Sequence, residues 1–194
     1  MSVVSPIKRI EDIRLMYKLL KKWNKNQAAE AFIIGCNSAL RCGDLMKITM
    51  TQARAGIVNI REQKNSKHKT FKFNKPCLEA VERLINFYDS KEVEPVYLFQ
   101  ALGNRSKNQC RPFSVAYIRG LIKEAAEAAC LDYNVGSHTM RKSFAYHAYN
   151  NGADIYQLQE LLNHDSIRMT FKYIGITQER VQNLYNEFEI PAYL

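Results

Sequence analysis

The sequence has no apolar run of membrane-spanning length. Its longest apolar-leaning stretch, residues 28 to 40, contains Glu30 and Asn37 and is too short and too polar to cross a bilayer. The opening MSVVSPIKRI lacks the apolar centre of a secretory signal. Cysteine is present at 36, 42, 77, 110 and 130, an odd number with no Cys-x-x-Cys pair. That argues against a disulfide framework and against a structural zinc site, so no metal is expected. The thiols read as reduced groups of an intracellular protein, and the expected location is cytoplasmic. Low-complexity tracts, internal repeats and long Pro/Gly/Ser linkers are also missing, which leaves a single domain over residues 1–194. Carboxylates are scarce: 19 Asp and Glu stand against 28 Lys and Arg, for a net charge of +9. That surplus favours a polyanionic partner. No helix pairs a basic face with bulky exposed apolar residues, so nucleic acid is preferred to an acidic membrane.

What is present is mostly helical periodicity. EDIRLMYKLLKKWN places Ile13, Met16, Tyr17 and Leu20 at helical spacing, with acids in the first turn and lysines in the last. NQAAEAFIIGCNSAL is apolar nearly all round and predicts a central buried helix. GIVNIRE and KTFKF then alternate about the polar QKNSKH, which predicts a β-hairpin with a basic tip. CLEAVERLINFY carries a stripe of Leu78, Val81, Leu84 and Ile85, and FSVAYIRGLIKEAAEAACL predicts a long amphipathic helix. VYLFQ between them has no assignable state. From the cap-like Ser137 onward the chain reads as shorter helices: SHTMRKSFAYHAYNNG, ADIYQLQELLNH, SIRMTFKYI and TQERVQNLYNEFEI. The expected fold is mainly α with a small antiparallel β-sheet (α+β).

Several residues invite a chemical reading, and each has a bland alternative. His138 and Arg141 are three apart near a helix start, where backbone N–H groups favour an anion; alone they suit a solvated surface turn. His147, on the same stretch, reads as structural. Arg41 follows the most apolar helix and offers a bidentate phosphate contact, or a local helix-end contact. Arg61, Lys64, Lys67, Lys69, Lys72 and Lys75 fall within fifteen residues with Glu62 as the only carboxylate. Such a hairpin can track a DNA backbone, or it can be an edge protected by lysines. Tyr173 stands nine residues after His164. A phenol of ordinary pKa, about 10, is a poor nucleophile at neutral pH unless a base or cations assist it.

In order and spacing, ALRCGDLMKIT, EQKNSKHKTFKF, SHTMRKSFAYHAYNNGADIYQLQELLNH and SIRMTFKYI resemble the catalytic domain of the tyrosine recombinases, the phage integrase family. The resemblance runs from about residue 6 to residue 188. It implies that Arg41 and Arg141 hold the non-bridging oxygens of a scissile DNA phosphate. Lys64 would protonate the leaving 5′-oxygen, with Lys67 and Lys69 sharing the same tip. His138 would assist proton transfer, and His164 would bond the phosphate and orient the site. Tyr173 would attack phosphorus to form a 3′-phosphotyrosyl link, and Asp44 would buttress the site. Contacts to double-stranded DNA are expected from Arg61, Lys67, Lys69, Lys72, Lys142 and Arg168. The link conserves the energy of the broken phosphodiester, so no cofactor is implied.

The sequence departs from the family pattern at RCGD in place of Arg-x-x-Glu. Asn163 stands where glycine usually precedes the histidine, and Lys142 where histidine often follows the arginine. The pattern begins within the first ten residues, so the expectation is that the family's N-terminal DNA-clamping domain is absent. The resemblance implies a homo-oligomer of four protomers on DNA. The tail stripe of Val181, Leu184, Tyr185 and Phe188 would pack on a neighbouring protomer or fold back on its own domain. Two further readings stay open: a non-catalytic DNA-binding regulator on the same fold, and a type IB topoisomerase-like activity.

Overall fold

The computed structural model describes residues 4–61, 68–103 and 110–175. Over these residues the chain forms α1 (Ile10–Lys22), α2 (Asn26–Ser38), α3 (Cys42–Leu45), α4 (Met50–Ala55), β1 (Ile57–Arg61), β2 (His68–Lys72), α5 (Lys75–Asp89), α6 (Val115–Ala128), α7 (Thr139–Asn150), α8 (Ile155–Leu161) and α9 (Ile167–Ile174). The fold is the expected one, mostly helical with one two-stranded antiparallel sheet. Lys64, Lys67 and the tail stripe lie outside the described residues.

The apolar α2 is the central helix. It buries ten of its thirteen residues and packs against α1, α5, α6 and α7. Glu30, in the middle of it, is 1 % exposed, yet its carboxylate is well supplied with donors. Arg83 of α5 donates through Nε at 3.1 Å and Nη2 at 3.0 Å, Lys21 of α1 at 3.3 Å and Tyr17 at 3.0 Å. A buried carboxylate survives only when paired in this way. Here the pairing ties both α1 and α5 to α2. Gly35 serves the fourth contact. A Cβ there would run into Met140 Sδ of α7 and come within 3.2 Å of Leu45 Cδ2. Glycine therefore lets α7 approach α2 closely, and α7 carries Arg141.

The hairpin pairs Ile57 with Lys72 through Arg61 with His68. Val58 and Ile60 face the core, and Arg61 and Lys72 stay exposed. Helix starts use ordinary side-chain caps: Thr49 in a capping box with Gln52, then Asn74, Ser114, Asp154 and Ser166. The expected cap at Ser137 is not used. Helix α7 starts one residue later with His138 as N-cap, and Thr139 Oγ1 turns back to accept from the Gly136 N–H at 2.9 Å. The stripe expected on α5 is also shifted. Leu78 is 46 % exposed, and the buried face is Cys77, Ala80, Val81, Leu84 and Tyr88. VYLFQ forms neither helix nor strand. It crosses the core as a turn pinned by the single bridges Thr49–Tyr97 and Gln100–Pro112, with Leu98 and Phe99 fully buried.

Helices α7, α8 and α9 enclose a second, smaller core of Ala145, Leu162 and Ile174, edged by Tyr149, Phe171 and Tyr173. Among the described residues, Leu158 of α8 is also buried.

Candidate active site

A cleft of about 550 Å³ is lined by Arg41, His138, Arg141, Asn163, His164, Asp165, Met169 and Tyr173. Four separate stretches of chain deliver these residues: the α2–α3 junction, the start of α7, the α8–α9 turn and α9 itself.

Arg141 is 2 % exposed, an extreme burial for a guanidinium. Its Nη1 donates to the Ala39 carbonyl at 2.6 Å and its Nη2 to the Leu162 carbonyl at 2.7 Å. Both acceptors lie at helix C-termini, where carbonyls have no intrahelical donor and the dipole is negative. Ala39 ends α2 in the left-handed conformation (φ 53), and Asn163 follows Leu162 in the same conformation (φ 49). Arg141 thus braces two helix ends, one through each Nη. Arg41 lies two residues beyond Ala39 as the N-cap of α3, half-buried. The brace on Ala39 therefore also sets where Arg41 emerges. Asp44 is 1 % exposed inside α3, one turn from Arg41, and lines a smaller cleft of about 290 Å³ with Arg41, Ser137 and His138.

His164 is set by its neighbours. Its N–H donates to the Gln159 carbonyl at 3.0 Å, and its carbonyl accepts from Gln159 Nε2 at 3.0 Å. Its ring Nδ1 lies 3.0 Å from Thr170 Oγ1. Thr170 is fully buried and sits one turn before Tyr173 on α9. The His164 ring then meets the Tyr173 ring edge to face, with centroids 4.8 Å apart and planes at 72°.

The Tyr173 hydroxyl is buried and, among the described residues, has no hydrogen bond of good geometry. Burial is the largest influence on its pKa and raises it above 10; the Arg141 and Arg41 guanidinium groups pull it back down. The resting phenol is therefore protonated at neutral pH, with cations in place to stabilise a phenolate once it forms. Among the described residues no group of three His, Cys, Asp or Glu side chains gathers as a metal would require.

Five of the six expected catalytic positions thus meet at one cleft, and the sixth, Lys64, lies outside the described residues. Of the expected DNA contacts, Arg61, Lys72 and Arg168 are exposed. Lys69 is half-buried and reaches back to the Leu161 carbonyl at 3.2 Å, beside the carbonyl that Arg141 uses. Lys142 departs from expectation. It is 7 % exposed, its Nζ donates to the Val4 carbonyl at 2.8 Å, and it lies 5.0 Å from the centroid of the Tyr173 ring. Its neighbour Arg141 is turned about 100° away around the helix, so the two cations approach the tyrosine from different sides. Thr170 was not among the expected site residues. The available signal was a polar residue three before Tyr173, on the face a short amphipathic helix buries.

The model of the Phage integrase family matches residues 9–180. The chain belongs to the phage integrase family. It is 33 % identical over 195 residues to a probable integrase/recombinase, YoeC, of Bacillus subtilis (strain 168), covering 97 % of this chain and 98 % of that one. It is 31 % identical over 138 residues to the tyrosine recombinase XerC of Syntrophus aciditrophicus (strain SB), covering 68 % of this chain but 42 % of that one. Among solved structures, XerA recombinase superposes with a TM-score of 0.73 at 20 % identity, over 97 % of this chain and 67 % of that one. The catalytic domain of bacteriophage HP1 integrase gives 0.57 at 18 % identity, over 95 % of each chain. At those identities the structures speak for the fold alone. Family membership and the integrase and Xer relatives make the chain a site-specific recombinase of the tyrosine type.

Proposed function

We propose that the chain cleaves and rejoins double-stranded DNA with Tyr173 as nucleophile. The observation that carries this is the convergence of Arg41, Arg141, His138, His164 and Tyr173 on one cleft. Tyr173 Oη attacks a backbone phosphorus, the bond from phosphorus to the 5′-oxygen breaks, and a 3′-phosphotyrosyl link takes its place. The two guanidinium groups hold the non-bridging oxygens, where negative charge builds in the transition state; fixed cations in a water-poor cleft stabilise it most. The phenol proton leaves through His138, and Lys64 returns a proton to the 5′-oxygen. His164, aligned by Thr170 and Gln159, bonds the phosphate and keeps the phenol ring in place. Asp44 supports the arginine at its helix start. Rejoining is the reverse attack by a free 5′-hydroxyl, so the link itself carries the energy of the broken bond.

Arg61, Lys69, Lys72 and Arg168 are the proposed cations that track the DNA backbone, and such contacts make affinity fall steeply with salt. Exchange between two duplexes needs four cuts, which matches an assembly of four protomers on DNA.

The test is a nicked suicide substrate carrying the target site. The wild type accumulates a protein–DNA adduct on denaturing gels, and Tyr173→Phe does not. An adduct of equal yield from both removes Tyr173 from this role. Sequence-specific binding with no adduct from the wild type favours a non-catalytic regulator.

A further inference from the structure

Residues 4–7 run as a strap along α7, registered by three side chains of that helix. Lys142 Nζ donates to the Val4 carbonyl at 2.8 Å. Ser143 Oγ accepts from the Ile7 N–H at 2.8 Å, and His147 Nε2 lies 2.9 Å from the Ile7 carbonyl. A carbonyl only accepts, so His147 Nε2 carries the proton. At its other edge the strap reaches the end of α9: a Cβ on Gly175 would sit 3.8 Å from Pro6. The strap, α7 and α9 therefore form one packed unit, and Lys142 stands inside it between the strap and the ring of Tyr173.

We propose that Lys142 is a positioning residue for the nucleophile: tethered to the Val4 carbonyl, it holds its ammonium against the Tyr173 ring and favours the phenolate over the phenol. The proposal rests on Tyr173 being the attacking group. A cation 5.0 Å from a ring centroid is attracted to the aromatic face, more so when desolvated, and to an anionic ring more strongly still. Burial draws the Lys142 pKa below its ordinary value of 10.5, so this ammonium has little water to fall back on. Among the described residues, the other charged and titratable groups lining the Tyr173 cleft are Arg41 at the α2–α3 junction, His138 and Arg141 at the start of α7, and His164 and Asp165 in the α8–α9 turn. His147 and Lys8 lie further along the strap; Lys8 is occupied over the Tyr146 ring at 6.0 Å. Lys142 touches the ring rather than the phosphate cleft, so its effect should be read in the ionisation of Tyr173 and not in DNA affinity.

The experiment follows adduct formation on the suicide substrate from pH 6.5 to 9.5 for the wild type, Lys142→Met, Lys142→Gln and Lys142→Arg, with DNA affinity measured in parallel. Tyr173→Phe is the control for the underlying assignment. Lys142→Met is expected to slow adduct formation about tenfold near neutral pH, with the rise of rate moved to higher pH and DNA affinity within about twofold of wild type. Lys142→Arg restores most of the rate. Lys142→Gln removes the charge and keeps an N–H donor one bond closer to the backbone, so it gives the same displaced profile even where Lys142→Met fails to fold. Wild-type rate and profile in Lys142→Gln overturn the proposal, and so does a loss of DNA affinity that accounts for the lost rate. If Tyr173→Phe still forms adduct, it is the nucleophile assignment that fails.

Discussion

Replacing Arg141 separates its architectural role from its chemical one. The guanidinium makes bonds of 2.6 and 2.7 Å to the carbonyls of Ala39 and Leu162, both residues fully buried. Arg141→Met leaves two buried helix-end carbonyls without a donor. At about 1–3 kcal/mol for each unsatisfied buried group, the cost is about 2–6 kcal/mol. That is a large share of the roughly 5–15 kcal/mol by which domains are stable. A lysine reaches one carbonyl but not both, so Arg141→Lys should lose about 1–3 kcal/mol and remain folded. It also lacks the planar fork that grips two phosphate oxygens. Urea unfolding followed by circular dichroism should rank wild type above Arg141→Lys and Arg141→Lys above Arg141→Met. Strand cleavage by the folded Arg141→Lys protein should fall by at least a hundredfold, taking about 3 kcal/mol as the worth of a charge-stabilising donor. An Arg141→Met protein as stable as the wild type would refute the helix-end brace. An Arg141→Lys protein that cleaves at the wild-type rate would refute the fork.

Gly35→Ala should cost about 1–3 kcal/mol in urea unfolding, because the added methyl meets Met140 and Leu45 where α7 crosses α2; pairing it with Met140→Ala should recover part of the loss. Native protein should show two thiols to a colorimetric thiol reagent at pH 8 and five after denaturation, since Cys110 and Cys130 are exposed and Cys36, Cys42 and Cys77 are buried; five fast thiols in the native protein would contradict the packing. Burial raises Cys42 from 9.0 to about 11 and Cys77 to about 12, and raises Tyr17 and Tyr133 from 10.0 to about 12. These groups keep their protons in the folded state after the unfolded chain would lose them. Their share of stability is intact below about pH 9 and drains away as pH climbs through 11 to 12. Denaturant midpoints measured from pH 7.5 to 10.5 should fall only above pH 9.

Local pattern carried most of the fold. The stripe in α1, the all-round apolar α2 and the alternation of the hairpin each reflect a period that the residues impose on themselves. Misreadings fell where tertiary contact decides. Leu78 fits the helical stripe of α5, yet the face that meets α2 is set by Cys77, Val81 and Leu84. Ser137 is the better cap by type, yet Gly136 and Thr139 close the turn without it. VYLFQ, whose state the sequence left open, pairs only through single bridges among the described residues. At the site, the spacing of His138, Arg141, His164 and Tyr173 was legible through its likeness to a family. The brace of Arg141 was not, because its acceptors are backbone carbonyls 102 and 21 residues away. Lys142 was misread for a related reason. Next to an arginine in a basic chain it looks like a phosphate contact, and only the path of residues 4–7 reveals that its partner is a carbonyl.

The central claim is that one phenol becomes covalently joined to DNA. The direct measurement is proteolysis of the trapped adduct, nuclease trimming of the DNA, and tandem mass spectrometry of the peptide that keeps a nucleotide. The account predicts the modification on Tyr173, within the peptide spanning Met169 and Lys172 on one side and Gly175 on the other. A nucleotide found on Tyr185, or on any other of the chain's eleven tyrosines, would contradict it.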